Sequence, residues 1–334
     1  ITDERGRNIF NPVPAYEAGI RANSEGMHFV STFSSGGNEI QWSKIEGSYN
    51  SGSAFSSRII STNAYSLSGD ALQRNHNELL DAGDTRVSSA FRKNGIIHFV
   101  HHSSDGFGFN TIRYHRLDMA SAIDQSYDIN GNATLDYAFA SLMPAGQYEA
   151  DKKVLINFLS SGATQYPGFN AVLIDDAGKI YTPRLMREAN TFINVLAGTD
   201  RWGDYSGSAI MPIPNANPRI FISAAIPESQ TRWSNIIAIL SVQDTQIYNI
   251  VDENKISLYP NPVIDWFDLE INLKESQNIK IELFDAQGKR IFLLFEGVLA
   301  KGNNRLKFNK ENLSSGIYFV RILGNGKRAI KTEK

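Results

Sequence analysis

The chain has 334 residues, 42% of them hydrophobic and 11% aromatic, so it can bury a substantial core and global disorder is excluded. Its formal charge of -2 gives no strong field that would point to nucleic acid or an anionic membrane. The absence of cysteine excludes disulfides, thiol nucleophiles and cysteine-ligated zinc or iron–sulfur sites, and no apolar run approaches the roughly 18 residues of a transmembrane segment.

The opening ITDERGRNIF carries no initiating Met and no signal-peptide pattern. Ile1 runs directly into what reads as domain interior, so the expectation is a passenger lacking an N-terminal portion, with a secretory leader already lost. Strand signals then dominate to residue 250. Short alternating, β-branched and aromatic runs are separated by clusters of Gly, Ser, Asn, Asp and Pro.

Self-comparison exposes a repeat. MHFVSTFSSG (27–36) matches IHFVHHSSDG (97–106), with weaker copies at VLINFLSSG (154–162) and IFISAAIPES (220–229). After each comes a loop, then an aromatic residue and, three positions on, a β-branched one: Trp42/Ile45, Phe109/Ile112, Phe169/Val172 and Trp233/Ile236. Small-residue strands precede the later copies at VSSAF (87–91), AFASL (138–142) and SGSAI (206–210). Three or four antiparallel strands at a period of about 60–70 residues read as a β-propeller blade. Small residues suit the crowded innermost strand, and the aromatic would fill the interface between blades. The expected architecture is all-β: the C-terminal four or more blades of a propeller in residues 1–250, a linker at 251–256, and a small immunoglobulin-like sandwich in 257–334.

DRWGDYSGSAI (200–210) resembles the RWGDYSG segment of secreted bacterial propellers related in shape to sialidases and BNR-repeat proteins. Within this segment Arg201, Trp202, Asp204 and Tyr205 are candidate ligand-binding residues by type, Asp204 and Arg201 facing a central channel and Trp202 and Tyr205 stacking on a sugar. The alternative has Trp202 and Tyr205 packed between blades and Asp204 capping a turn.

Other chemistry is sparse. His98, His101, His102 and His115 invite a metal hypothesis, but His28 takes the place of His98 in the repeat, so a structural role shared between blades is simpler. SSDGFGFNT (103–111) departs from the Asp-box turn of sialidases in its glycine spacing and lacks the Trp. DINGNAT (128–134) begins like a calcium loop but has Ala133 where the glycine is needed, and reads as a polar hairpin loop. DDAGK (175–179) reads as a hairpin turn. No phosphate loop, G-x-S-x-G elbow or H-E-x-x-H occurs. No catalytic residue, metal site or cofactor is assigned. A glycan- or protein-binding module is the first expectation, and a glycan-acting hydrolase of sialidase type is the alternative.

The pattern changes after residue 255. FDLEINL sets Phe267, Leu269, Ile271 and Leu273 on one strand face and Asp268, Glu270 and Asn272 on the other. IKIELF and RLKF alternate in the same way, DAQGK is a turn with Gly288 at its tight position, and SGIYFVRI opposes Tyr318, Val320 and Ile322 to Ile317, Phe319 and Arg321. Seven short strands are expected. YPNPV (259–263), the ELFDAQGK turn, KGNN and LSSGIYFVRI with its basic tail resemble, in order and spacing, the type A C-terminal sorting domain of the Bacteroidetes type IX secretion system.

That resemblance implies a secreted or surface-displayed cargo. Its partners would be an outer-membrane translocon, a β-barrel shuttle and a sortase-like peptidase. The residues carried over are Tyr259, Pro260, Asn261, Pro262, Gly288, Gly316, Tyr318, Arg321, Lys327, Arg328, Lys331 and Lys334, with the final strand and its tail nearest the receptor.

Overall fold

The computed structural model describes the chain except residues 1, 4, 8, 19–25, 34–35, 49–51, 67–68, 203–205, 214–215, 244–245, 250–255, 261, 274, 286–288, 311–312, 325–326 and 334, together with the side chains of 48, 243, 246–249, 324 and 327–333. It divides into two compact units, residues 1–237 with 241–247, and residues 238–240 with 248–334. All the regular elements described are strands.

The first unit is built from four-stranded antiparallel meanders. The first comprises β1 (Val13–Glu17), β2 (Met27–Ser31), β3 (Gly37–Ser48) and β4 (Gly52–Tyr65). A short hairpin, β5 (Ala71–Gln73) and β6 (His76–Asp81), leads to the second meander of β7 (Val87–Lys93), β8 (Ile96–Ser104), β9 (Asn110–Asp118) and β10 (Ile123–Ile129). The third is β11 (Asp136–Pro144), β12 (Val154–Gly162), β13 (Gln165–Ile174) and β14 (Arg184–Glu188). Strand β15 (Asp200–Arg201) pairs with β6 in a parallel register, and β16 (Gly207–Ile213), β17 (Ala216–Ser229), β18 (Arg232–Gln243) and β19 (Gln246–Asn249) form the fourth meander. The small sheet of β5, β6 and β15 lies outside the repeat and was not legible in it.

Each repeat copy lands on the same strand. The apolar segments are β2, β8, β12 and β17, and the aromatic positions 42, 109, 169 and 233 fall on, or one residue before, β3, β9, β13 and β18. The aromatics differ in role, however. Phe169 is fully buried, whereas Trp42, Phe109 and Trp233 are half-exposed, so only the third copy fills a core in the expected way.

Stacking explains why β8 and β12 are buried along nearly their whole length and show no polar–apolar alternation, since a strand covered on both faces needs no polar side. One face of the second meander (Ala90, Ile97, Phe99, Leu117) packs on Val30, Ile40, Ile60 and Tyr65 of the first. Its other face (Phe91, Val100, Ile112, Tyr114) packs on Leu142, Ile156, Phe158 and Val172 of the third. The first strands line up side by side where the sheets crowd: Ser88 of β7 donates to the Ala140 carbonyl of β11 at 2.7 Å, and Ser141 of β11 meets Ser208 of β16 at 2.6 Å. Small side chains there allow the close approach of neighbouring blades. Strands β1 and β7 approach so closely that they pair in parallel, Tyr16 opposite Phe91, which fuses the first two meanders into one sheet of order β10-β9-β8-β7-β1-β2-β3-β4. The edges β4 and β10 of that sheet meet across a seam, where Asn63 Nδ2 donates to Ser126 Oγ at 2.9 Å.

Turn chemistry is local. Asn94 and Gly95, at φ 48° and 73°, make the two-residue link between β7 and β8 that an Asn-Gly pair favours. Asp105, Asp175 and Asp285 each accept a backbone N–H four residues on, at 3.1, 2.9 and 2.9 Å. This closes the SSDGFGF and DDAGK turns and ties Asp285 to Lys289.

The second unit has the seven strands expected: β20 (Ile256–Tyr259), β21 (Trp266–Leu273), β22 (Gln277–Asp285), β23 (Arg290–Leu299), β24 (Gly302–Asn309), β25 (Tyr318–Gly324) and β26 (Lys327–Glu333). They form two sheets, β20-β21-β24 and β23-β22-β25-β26. Phe267, Leu269, Ile271 and Leu273 of one sheet pack on Ile279, Ile281, Leu283, Val320 and Ile322 of the other.

Candidate functional site

Among the described residues singled out in the second unit, Tyr259, Pro260, Pro262, Gly316 and Tyr318 sit at strand ends and connections, and Arg321 lies on β25. Tyr259 closes β20, its hydroxyl donates to Glu270 Oε1 at 2.5 Å, and the Arg305 guanidinium lies 5.5 Å from its ring centre. Arg305 also bonds Asp268 Oδ2 at 2.5 Å, and Lys307 lies 3.8 Å over the Trp266 ring. Strand alternation produces this polar row, because Asp268 and Glu270 of β21 stand opposite Lys307 and Arg305 of β24. The hydrogen bond from Arg305 holds the Asp268 carboxyl below the usual carboxylate range. Pro262 and Gly316 are exposed in the connections, whereas Asn261 and Gly288 lie outside the described residues.

On the other sheet Glu282 is central. Burial works to raise its pKa, but hydrogen bonds from Arg321 and Arg290 outweigh that and hold it below the usual value. The Arg321 guanidinium also lies 4.3 Å over the Phe284 ring. Val320 and Ile322 are buried and Tyr318 is half-buried on the core face, as the alternation predicts.

The basic tail is part of the sandwich. Residues 327–333 form β26, paired along their whole length with β25, Tyr318 opposite Glu333 and Gly324 opposite Lys327. The edge of β25 is therefore covered, and the backbone edge on that side of the sheet belongs to β26. A strand turned back on its neighbour satisfies the donors and acceptors that a loose tail would leave to water. Lys327, Arg328 and Lys331 are placed here by their backbone, and Lys334 lies outside the described residues.

In the first unit Trp202 is completely buried, edge-on to Phe139 at 6.2 Å, so its ring presents no open face for a sugar. Arg201 is exposed on β15, and Asp204 and Tyr205 lie outside the described residues. The histidines are interior groups. His28 stacks on Trp42 and accepts its indole N–H at 2.9 Å, and His98 stacks on Phe91 with Nδ1 2.6 Å from the Tyr114 hydroxyl. The two equivalent positions of the repeat thus do the same structural work. Burial pushes His98 down to about 3 and His102 down to about 4. No group of three His, Asp or Glu among the described residues is arranged to hold a metal ion.

A recess of about 460 Å³ opens at the β4–β10 seam, lined by Ser61, Thr62, Asn63, Asp124, Gln125 and Ser126 among others. Asp124 is the one carboxylate in this lining, and it is already bonded to Thr62 at 2.6 Å and His115 at 2.8 Å. Its link to the histidines was not legible in the sequence, because residues 62, 115 and 124 belong to three strands of two meanders.

The family described as a secretion system C-terminal sorting domain matches residues 257–333. Residues 257–333 are a sorting domain. The chain is therefore type IX secretion cargo, bound for the cell surface or the medium, and its sorting domain implies an interaction with the type IX secretion machinery. No curated protein sequence matches the chain. Among solved structures it is similar to an exo-β-1,3-galactanase from Phanerochaete chrysosporium (11% identity over 99% of this chain and 96% of that one, TM-score 0.28). A bifunctional GH43-CE protein from Bacteroides eggerthii (9%, 98% and 45%, TM-score 0.35) and dimeric latent PorU from Porphyromonas gingivalis (11%, 92% and 33%, TM-score 0.23) are also similar. Likenesses at these TM-scores carry no argument about activity. No helix among the described residues is long and apolar enough to cross a membrane.

Proposed function

We propose that the sorting domain is read by the outer-membrane translocon, passed to a β-barrel shuttle and cut by a sortase-like peptidase, and that the propeller it carries binds a surface glycan or protein. The observation that supports the export reading most directly is the family match over 257–333, on a seven-stranded sandwich whose last strand is the basic β26. Strand β26 and Arg321 of β25 lie on the sheet that offers a receptor both a backbone edge and positive charge.

The recess at the β4–β10 seam supports binding as the first reading, because the hydroxyls and amides of Ser61, Thr62, Asn63, Gln125 and Ser126 offer hydrogen bonds to a polar ligand.

The test is a fusion of residues 251–334 to a fluorescent protein bearing a secretory signal peptide, expressed in a type IX-competent bacterium. Export that is lost on removing residues 313–334, or in a host without the translocon, supports the reading. Periplasmic retention of the intact fusion overturns it. For the passenger, release of reducing sugar from surface glycans by the purified chain would replace binding with hydrolysis.

A further inference from the structure

Thr62, Asp124, His115 and His101 form an unbroken polar chain inside the first unit, across the seam between β4 and β10. Thr62 Oγ1 donates to Asp124 Oδ2 at 2.6 Å, and the same oxygen lies 2.8 Å from His115 Nδ1. His115 Nε2 lies 3.0 Å from His101 Nε2, and His101 Nδ1 lies 2.6 Å from the carbonyl oxygen of His102. The side chains of His115 and Asp124 are 0% and 1% exposed, so water does not replace these contacts.

The protons along the chain can be counted. A carbonyl oxygen only accepts, so His101 Nδ1 carries a proton. The two facing Nε2 atoms share one, and so do His115 Nδ1 and the Asp124 carboxyl. Three contacts require three protons. Two neutral imidazoles and an ionised carboxylate together hold two.

We propose that this chain holds three protons in the folded protein, one more than the same side chains hold in the unfolded chain at pH 8, and that the extra proton is a pH-sensitive latch on the β4–β10 seam. In one arrangement Asp124 is ionised, His115 carries both N–H groups and His101 Nε2 accepts from His115. In the other, His115 Nδ1 has passed its proton to Asp124. The shift breaks one N–H bond and makes one O–H bond, and the net charge of the three groups is zero in both. A neutral total is what a dry interior demands.

Burial first, then His115 and Arg113, push His101 well below the ordinary histidine value, so His101 stays neutral within the chain. Arg113 of β9 is held by Asp128 of β10 at 2.6 Å and by the Asn63 carbonyl at 3.1 Å. Tyr65 of β4 stands edge-on to His101 at 5.0 Å, its hydroxyl donating to the Glu39 carbonyl at 2.8 Å. Phe99 of β8 stacks on His115 at 4.3 Å, and His102, on the opposite face of β8, accepts the Phe139 N–H at 2.5 Å. Asp124 also lines the seam recess, which gives the chain an exit for its proton.

The sign follows from the count. With ordinary pKa values of about 3.9 and 6.5, the unfolded trio holds about two protons above pH 7.5 and about four below pH 5.5. The folded trio holds three. Stability from this chain therefore peaks near pH 6.5 and falls on both sides, the alkaline fall being the distinctive one.

The test is urea unfolding of the full chain between pH 7.5 and 8.5, following the passenger transition, with calorimetric unfolding at pH 8 in buffers of different ionisation heat. The folding constant is expected to fall by up to tenfold per pH unit, with about one proton released on unfolding. In Asp124→Asn the amide can donate to His115 Nδ1, so the contacts close with two imidazole protons and the alkaline fall disappears. A wild-type chain that is flat over this range and releases no proton overturns the proposal, whether or not the variant folds. A fall that persists undiminished in folded Asp124→Asn overturns it as well.

Discussion

Arg321 Nη2 and Nε lie 2.5 and 3.0 Å from the same carboxylate oxygen of Glu282, directly across the β22–β25 ladder. Arg290 of β23 takes the other oxygen at 3.0 Å, so one buried carboxylate ties three adjacent strands of the sorting domain. Arg321→Ala leaves that carboxylate with a single partner in a nearly water-free position. The expected cost is about 1–3 kcal/mol, measured as the shift in the sandwich's urea transition in the full chain. No shift would mean that Arg290 suffices alone.

Glu282 and Asp268 both have folded pKa values below their ordinary ones. Their stabilising contribution is therefore present above the unfolded carboxylate range and is lost as pH falls through the lowered folded values. The sandwich is expected to keep its stability down to about pH 4.5 and lose it progressively below. An acid titration followed by circular dichroism checks this, and Arg321→Ala should flatten it.

The passenger responds to acid earlier, through His98 and His102, whose folded pKa values are depressed to about 3 and about 4. For a histidine the sign is that the unfolded state binds protons first, so stability falls as pH drops below about 6.5. In the full chain the passenger should melt at lower temperature at pH 5 than at pH 7, while the sandwich transition stays in place. Equal shifts of the two transitions would contradict this assignment.

Trp202 separates a packing role from a ligand-stacking one. Because it is wholly buried against Phe139, Trp202→Ala is expected to cost about 3–5 kcal/mol of passenger stability. Measured by urea unfolding, a cost below about 1 kcal/mol would point to a surface role for the ring.

Ile281 is fully buried at the centre of the sandwich core. Ile281→Ala should lower the stability of the sorting domain by about 2–5 kcal/mol. The fluorescent fusion reports whether export follows that stability, by comparing export of the variant with its melting temperature.

Much of this was legible in the chain order of residues. The copies IHFV and VLINF fall on β8 and β12, which are buried on both faces and need no polar side, while MHFV and IFISA fall on β2 and β17, which are only partly buried. FDLEINL and SGIYFVRI disclosed their core faces because period-two alternation survives wherever one sheet face meets solvent. The sorting domain was recognisable as a whole because its turns, DAQGK among them, are set by residues close in sequence.

What only the tertiary structure decided rests on residues far apart in the chain. The parallel pairing of Tyr16 with Phe91, the return of Lys327–Glu333 onto β25, and the meeting of Thr62, Asp124, His115 and His101 leave no periodic trace. Alternation tells which face of a strand is buried, and says nothing of which neighbour buries it. Hydrogen-bond partners of an interior polar group come from whichever strands the packing brings within about 3 Å. For this protein the sequence alone determined the strands, the blade repeat and the export module, and the fold decided where its buried carboxylates and histidines find their partners.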